Sequence, residues 1–331
     1  METVVSGIRP TGRLHLGNYF GAVVNFVKLQ SQYRCFFFIA DYHSLTTHPH
    51  PSDLHGTVRQ VLAEYLACGL DPNQCTLYRQ SDVPETAELY LFLNMLAYVG
   101  ELERSASFKE KVRAQPDNVN AGLLTYPVLM TADIIIHRAH KVPVGKDQIP
   151  HLEMARNFAE RFNRMYGENF FPLPQPLGTE GEPIKVPGLD GSGKMGKSEG
   201  EGNAIFLSDD EATIQRKVMK AVTDAGPTQP HQPKSPPVAN LFTLLKLVSS
   251  PDTVHHFEQA YNNCTIRYGE MKKQLAADIA AFTAPIRQRI DAFKNDDALL
   301  RRVLEEGQKK ARASASATLA EVRRLIGFRK F

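Results

Sequence analysis

The chain has 331 residues, 42% of them hydrophobic, and a formal net charge of +3, room for about two domains with a sizeable core. No apolar run approaches membrane-spanning length, and the opening Met1-Glu2-Thr3 lacks a basic-then-apolar leader, so neither a span nor a signal peptide is expected. Cys35, Cys68, Cys75 and Cys264 are dispersed with no C-x-x-C pair, which points away from a zinc or iron–sulfur site and towards a reducing cytoplasm.

The elements follow from periodicity. Thr3 to Ser6 reads as a short strand. Leu16, Tyr19, Phe20, Val23, Val24 and Val27 recur at helix spacing, with a turn bearing Gly7, Pro10 and Gly12 in between. Cys35 to Ala40 is a continuous apolar run, as a buried parallel strand should be. A helix over about Leu54 to Cys68 follows, then a strand at Cys75 to Tyr78. Helices are expected near Glu85 to Tyr98 and Leu123 to His137, a short strand at Val142 to Gly145, and a helix at Ile149 to Tyr166. Such alternation predicts an α/β doubly wound parallel sheet of Rossmann type, with ligands beyond the carboxyl ends of the strands.

Residues 171–193 are rich in Pro and Gly and read as an irregular connection, as does Gly226 to Pro237. From about Asn240 the pattern is helical, with Leu241, Leu244, Leu245 and Val248 on one face. Later helices are expected at Asp252–Tyr261, Tyr268–Asn295 and Ala298–Ile326. The expected division is therefore a catalytic α/β domain over 1–193 and a C-terminal α-helical domain over 194–331. Residues 301–331 hold nine Lys or Arg against three Glu, a net of +6, which leaves the first 300 residues at −3. A basic helical segment suits a polyanion such as RNA, although a solvated helix face has the same composition.

Two motifs carry the chemistry. The first is Ser6-Gly7-Ile8-Arg9-Pro10-Thr11-Gly12-Arg13-Leu14-His15-Leu16-Gly17-Asn18, a strand, a glycine turn and a helix start. Free N–H groups and the helix dipole favour an anion there, glycine admits close approach, and His15 can donate to a phosphate oxygen. The second is Lys194-Met195-Gly196-Lys197-Ser198. With Gly191 to Gly193 it matches the Walker A pattern letter for letter, but a phosphate loop follows a buried strand and opens a helix, and the flanking residues suit neither. A glycine-hinged loop closing two lysines over a polyphosphate is the better reading.

These motifs, with Asp41 to Thr46, Gly100 to Arg104, Phe108 to Lys111, Ala121 to Pro127 and Val144 to Gln148, resemble class I aminoacyl-tRNA synthetases, and among them the bacterial tryptophanyl type, over nearly the whole chain. His15 to Asn18 looks like the HIGH signature and Lys194 to Ser198 like KMSKS. Asn18 stands for the second histidine, Gly196 for the first serine, and Arg9 where many relatives carry glutamine. The resemblance implies that tryptophan attacks the α-phosphorus of ATP, carried with Mg²⁺, and that the adenylate is then transferred to tRNA(Trp). It implies catalytic roles for Lys194, Lys197, Lys111 and His15. ATP would be held by Arg9, Pro10, Thr11, Gly17, Asn18, Gly145, Lys146, Asp147, Val186 and residues 194–198 (Lys194, Met195, Gly196, Lys197, Ser198). Asp133 would accept from the indole N–H, a carboxylate otherwise out of place in its apolar run. Tyr126, Met130, His43 and Gly7 would wall the indole. No protein-held metal is expected, and a cytoplasmic homodimer is. A tyrosyl-tRNA synthetase, a P-loop ATPase and a non-catalytic RNA-binding protein are the alternatives.

Overall fold

The apolar run beginning at Cys35 sits inside a five-stranded sheet. The structure, a computed structural model, describes residues 1–145, 148–177, 185–191, 193–196 and 200–328. The strands are β1 (Thr3–Ile8), β2 (Arg34–Ile39), β3 (Thr76–Arg79), β4 (Lys141–Pro143) and β5 (Gln175–Leu177), all parallel in the order β3-β2-β1-β4-β5. Alternation along β2 sends Cys35, Phe37 and Ile39 into one core and Phe36 and Phe38 into the other. Both faces of the sheet are therefore covered, the condition for a parallel sheet.

Helices α1 (Leu16–Asn18), α2 (Val24–Leu29), α3 (Asp41–Ser44), α4 (Pro51–Ala67), α5 (Pro84–Asn94), α6 (Val99–Arg104), α7 (Ala106–Ala114), α8 (Ala121–Ile135) and α9 (Ile149–Tyr166) fill the first part of the chain. A π-helical turn, Tyr19–Val23, joins α1 to α2. Leu16, Phe26 and the buried side of α4 lie in the Phe37 core, whereas α5, α8 and α9 lie in the Phe36 core. The doubly wound α/β architecture is the one expected, and α9 has the predicted limits.

The remaining helices are α10 (Glu211–Met219), α11 (Pro236–Val248), α12 (Pro251–Asn262), α13 (Tyr268–Lys294) and α14 (Asp297–Leu325). Those from α10 to α13 extend the Phe37 core, while α14 joins both cores, through Leu300 and Val303 in one and Ala311, Ala315, Leu319 and Val322 in the other. Part of the basic excess of α14 is spent inside the molecule: Arg312 pairs with Glu85 at 3.1 Å and Arg323 with Glu88 at 2.6 Å. Strand β5 lies in the stretch expected to be irregular. It is three residues long, sits at the sheet edge and contains Pro176, which an edge tolerates. Among the described residues no helix is long and apolar enough to cross a membrane.

Candidate active site

The sheet changes direction at β1: β2 and β3 continue on one side, β4 and β5 on the other. A cavity of about 1390 Å³ opens at this switch point, lined by Ser6 to Arg9 after β1 and by Val142 to Gly145 around β4. Gly7 has to be glycine, since a Cβ there would stand 2.7 Å from the Phe38 ring. A ligand entering between the diverging strands reaches backbone on both sides.

The first motif is held from below. Glu64, fully buried in α4, accepts the Leu14 N–H at 2.7 Å. Residues 205–207 pair antiparallel with the motif, Leu16 N–H donating to the Ile205 carbonyl at 2.9 Å and Leu207 N–H to the Leu14 carbonyl at 2.9 Å. Asp209 locks this seam, taking Arg13 at 3.0 Å and Lys217 at 2.6 Å. His15 has a structural part beside the role expected of it. Its Nδ1 accepts the Asn18 N–H at 3.2 Å, Asn18 Oδ1 accepts the His15 N–H at 3.1 Å, and the residue is 7% exposed. This reciprocal pair caps the helix start. The N–H groups of Leu16 and Asn18 are thus already engaged within the protein.

Side-chain cations converge. Arg9, Lys111, Lys185 and Lys194 all line the cavity, with Gly17, Asn18, Val186 and Met195. Burial, reinforced by the neighbouring Arg9 charge, holds the Lys111 ammonium below its ordinary pKa, and Nζ lies 4.7 Å over the Tyr126 ring. Two crowded cations favour an anion between them. Met195 anchors the second motif, its side chain buried and its N–H donating to the Val186 carbonyl at 2.8 Å, while Lys194 is exposed. Lys185 is a cation that periodicity did not single out. Pro10, Thr11, His15 and Gly196 are not part of the lining. Lys146, Asp147, Lys197 and Ser198 lie outside the described residues. Residues 185–191 form no strand, and the next helical turn after 193–196 is the short Glu201–Asn203, so the described residues lack the strand and helix of a Walker A loop.

Asp133, 2% exposed, lines the same cavity with Met130, His43 and Tyr126. It is not a bare acceptor. His43 Nε2–H donates to Oδ2 at 2.8 Å, and Gln80 Nε2 donates to Oδ1 and Oδ2 at 2.7 and 2.9 Å. Burial raises the carboxyl above its ordinary pKa, opposed by His43 and Gln80. A carboxylate has about four acceptor directions, so a further donor can still be taken. Gln80, 1% exposed, is fixed in turn by the Tyr42 N–H, which donates to its Oε1 at 3.0 Å. Sequence reasoning missed it. Its one signal is position, immediately after β3 at the carboxyl edge of the sheet. Among the described residues no group of three or more His, Cys, Asp or Glu could hold a metal ion.

The family model described as tRNA synthetases class I (W and Y) matches residues 2–284. A tryptophan–tRNA ligase from Porphyromonas gingivalis is 65% identical over 329 residues, covering 99% of this chain and 100% of that protein. One from Treponema pallidum is 42% identical over 99% of this chain and 97% of that protein. The solved tryptophanyl-tRNA synthetase from Campylobacter jejuni, in complex with ADP and tryptophan, has a TM-score of 0.87 at 34% identity, covering 98% of this chain and 99% of that one. The chain belongs to the class I tRNA synthetases of the tryptophan and tyrosine family.

Proposed function

We propose that this chain activates L-tryptophan with ATP and transfers it to tRNA(Trp). The observation that carries the reading is one cavity lined both by Arg9, Lys111, Lys185 and Lys194 and by a buried, hydrogen-bonded carboxylate, Asp133. The substrate carboxylate attacks the α-phosphorus, the bond to the bridging oxygen breaks, and pyrophosphate leaves with the electron pair, giving tryptophanyl-adenylate. The terminal ribose hydroxyl of the tRNA then attacks the acyl carbon and AMP leaves.

No covalent enzyme intermediate is involved, so the side chains position substrates and balance charge. Arg9, Lys111, Lys185 and Lys194, with Lys197, face the triphosphate. Gly17 and Asn18 set its floor, Val186 and Met195 flank the adenine side, and Gly145, Lys146 and Asp147 suit the ribose hydroxyls. Magnesium arrives with the triphosphate as part of the substrate. Asp133 accepts the indole N–H, with Tyr126, Met130, His43 and Gly7 around the ring. Residues 1–193 form the activating part. Residues 194–331 supply the loop and the helices that meet the tRNA anticodon, as a cytoplasmic homodimer whose two subunits share one tRNA.

A panel of amino acids in ATP–pyrophosphate exchange tests the reading. Tryptophan should support exchange far above tyrosine, whose ring has a different shape, and above phenylalanine by about 10⁴-fold or more, since a site that accepts from a substrate donor rejects the analogue lacking it. Exchange driven best by tyrosine would overturn it.

A further inference from the structure

The Gln80–Asp133 hydrogen bonds join two separate elements. Gln80 opens the turn that ends β3, and Asp133 lies near the end of α8. The bonds persist only while β3 and α8 keep their spacing. One further element touches both sides.

That element is α14. Gly307 lies so close to β3 that a Cβ would stand 1.6 Å from the Leu77 carbonyl oxygen. Gln308 Nε2 donates to the Asp82 carbonyl at 3.4 Å, in the turn that carries Gln80. Farther along, Ser314 Oγ is 3.2 Å from His137 Nδ1, and His137 Nε2 is 2.9 Å from the Tyr78 hydroxyl. His137 follows the end of α8, is 3% exposed and stacks on Phe36 at 4.1 Å between centroids. Tyr78 sits on β3, so Ser314, His137 and Tyr78 form a relay between α14, the end of α8 and the strand.

We propose that α14 is a positioning element for amino-acid selection, holding β3 and α8, through Gly307 against Leu77 and Ser314 against His137, at the separation the Gln80–Asp133 hydrogen bonds require. The inference rests on the reading of Asp133 as the selecting residue. None of these α14 residues lines the cavity. Gln80 and Ser314 act through Asp133 and are positioning residues. Leu300 and Val303 of the same helix lie in the core shared with α13, so a displacement of the helical part has a path to the amino-acid pocket.

The test is a double-mutant cycle in the full-length protein, read by ATP–pyrophosphate exchange. Gln80→Met and Ser314→Ala should each raise KM for tryptophan by about three- to tenfold, the range of one net hydrogen bond. KM for ATP should stay constant and kcat should change less than KM. The double variant should be no worse than Gln80→Met alone, because both changes loosen one contact. Ser314→Thr, which keeps the hydroxyl, should retain the parental KM. Multiplicative effects in the double variant, or a lowered urea midpoint for Ser314→Ala with unchanged KM, would overturn the proposal. Asp133→Asn run alongside separates the two failures: unchanged discrimination there removes the selecting role of Asp133, whereas impaired discrimination with a multiplicative cycle removes only the role of α14.

Discussion

The carbonyl oxygen of Met195 lies 3.4 Å from where a Cβ on Gly17 would stand. Two motifs far apart in the chain thus meet at one cavity. The same hypothetical Cβ would be 2.8 Å from both Cε1 and Nδ1 of the His15 ring.

Gly17→Ala should therefore turn the His15 ring off its cap and put a methyl against the Met195 carbonyl in the cavity wall. Loss of such a cap costs about 0.5–2 kcal/mol, a modest loss of stability. Adenylate formation should suffer more, by about a hundredfold, because displacement of a positioned reactant by about 1 Å has that effect. Rapid-quench measurement of adenylate formation, with a parallel urea titration, checks both. Parental adenylate formation in this variant would contradict the proposed contact with ATP.

Asp133→Asn replaces an acceptor facing two donors with a group that presents an NH₂ to one of them. Either His43 or Gln80 loses its partner, and the Asn has less acceptor capacity for an indole. KM for tryptophan should rise by about ten- to hundredfold, the range for hydrogen bonds to a charged group. The ratio of tryptophan to phenylalanine exchange should fall with it, while KM for ATP stays constant. Steady-state exchange with both amino acids gives the ratio directly, and an unchanged ratio would end the assignment.

The sheet was legible because buried strands have no polar face: Cys35 to Ala40 could be placed without knowing its neighbours. Strand β5 was not, since three residues containing Pro176 carry no alternation. The helices α6, α7 and α10 lay in stretches with too few apolar positions to fix a period; α7 has no fully buried residue, Lys111 being half-buried. In the site, His15 and Asn18 stand three apart, the spacing of a reciprocal cap, so their mutual bonding could have been read from the chain. Gln80 had no such pattern: a glutamine becomes informative only when the fold buries it against a carboxylate. The partners of Arg312 and Arg323 were hidden for the same reason, because Glu85 and Glu88 are distant in sequence and only the return of the helix brings the arginines to them.

Lys111 separates activity from stability. Burial and Arg9 both disfavour its charged form in the folded protein, as its lowered pKa records. Lys111→Met keeps the stem and removes that charge, so the folded state should be unchanged or slightly steadier. Pyrophosphate exchange should nevertheless fall by about 10²–10³-fold, typical for loss of one preorganised electrostatic contact to a transition state. Exchange kinetics and thermal melting on the same preparations decide the matter. A stability loss matching the activity loss would assign Lys111 a packing role.

His137 gives the protein an acid limit. Burial, aided slightly by Arg34, lowers its pKa from 6.5 to about 3. In the unfolded chain the ring takes a proton as the pH falls through about 6.5, whereas in the folded chain it stays neutral until about 3. The unfolded state thus binds more protons across that window, and stability falls with falling pH by about 1.4 kcal/mol per unit. The contribution is complete above 6.5 and shrinks steadily towards 3. His137→Gln retains a donor and an acceptor for Tyr78 and Ser314 but does not titrate. It should be less stable at pH 7.5, having lost the stacking on Phe36, yet its loss between pH 7.5 and 5.0 should be smaller than the parent's by about 2 kcal/mol. Urea unfolding of both proteins at the two pH values gives the difference, and equal pH slopes would show that His137 is not the group whose protonation limits the fold.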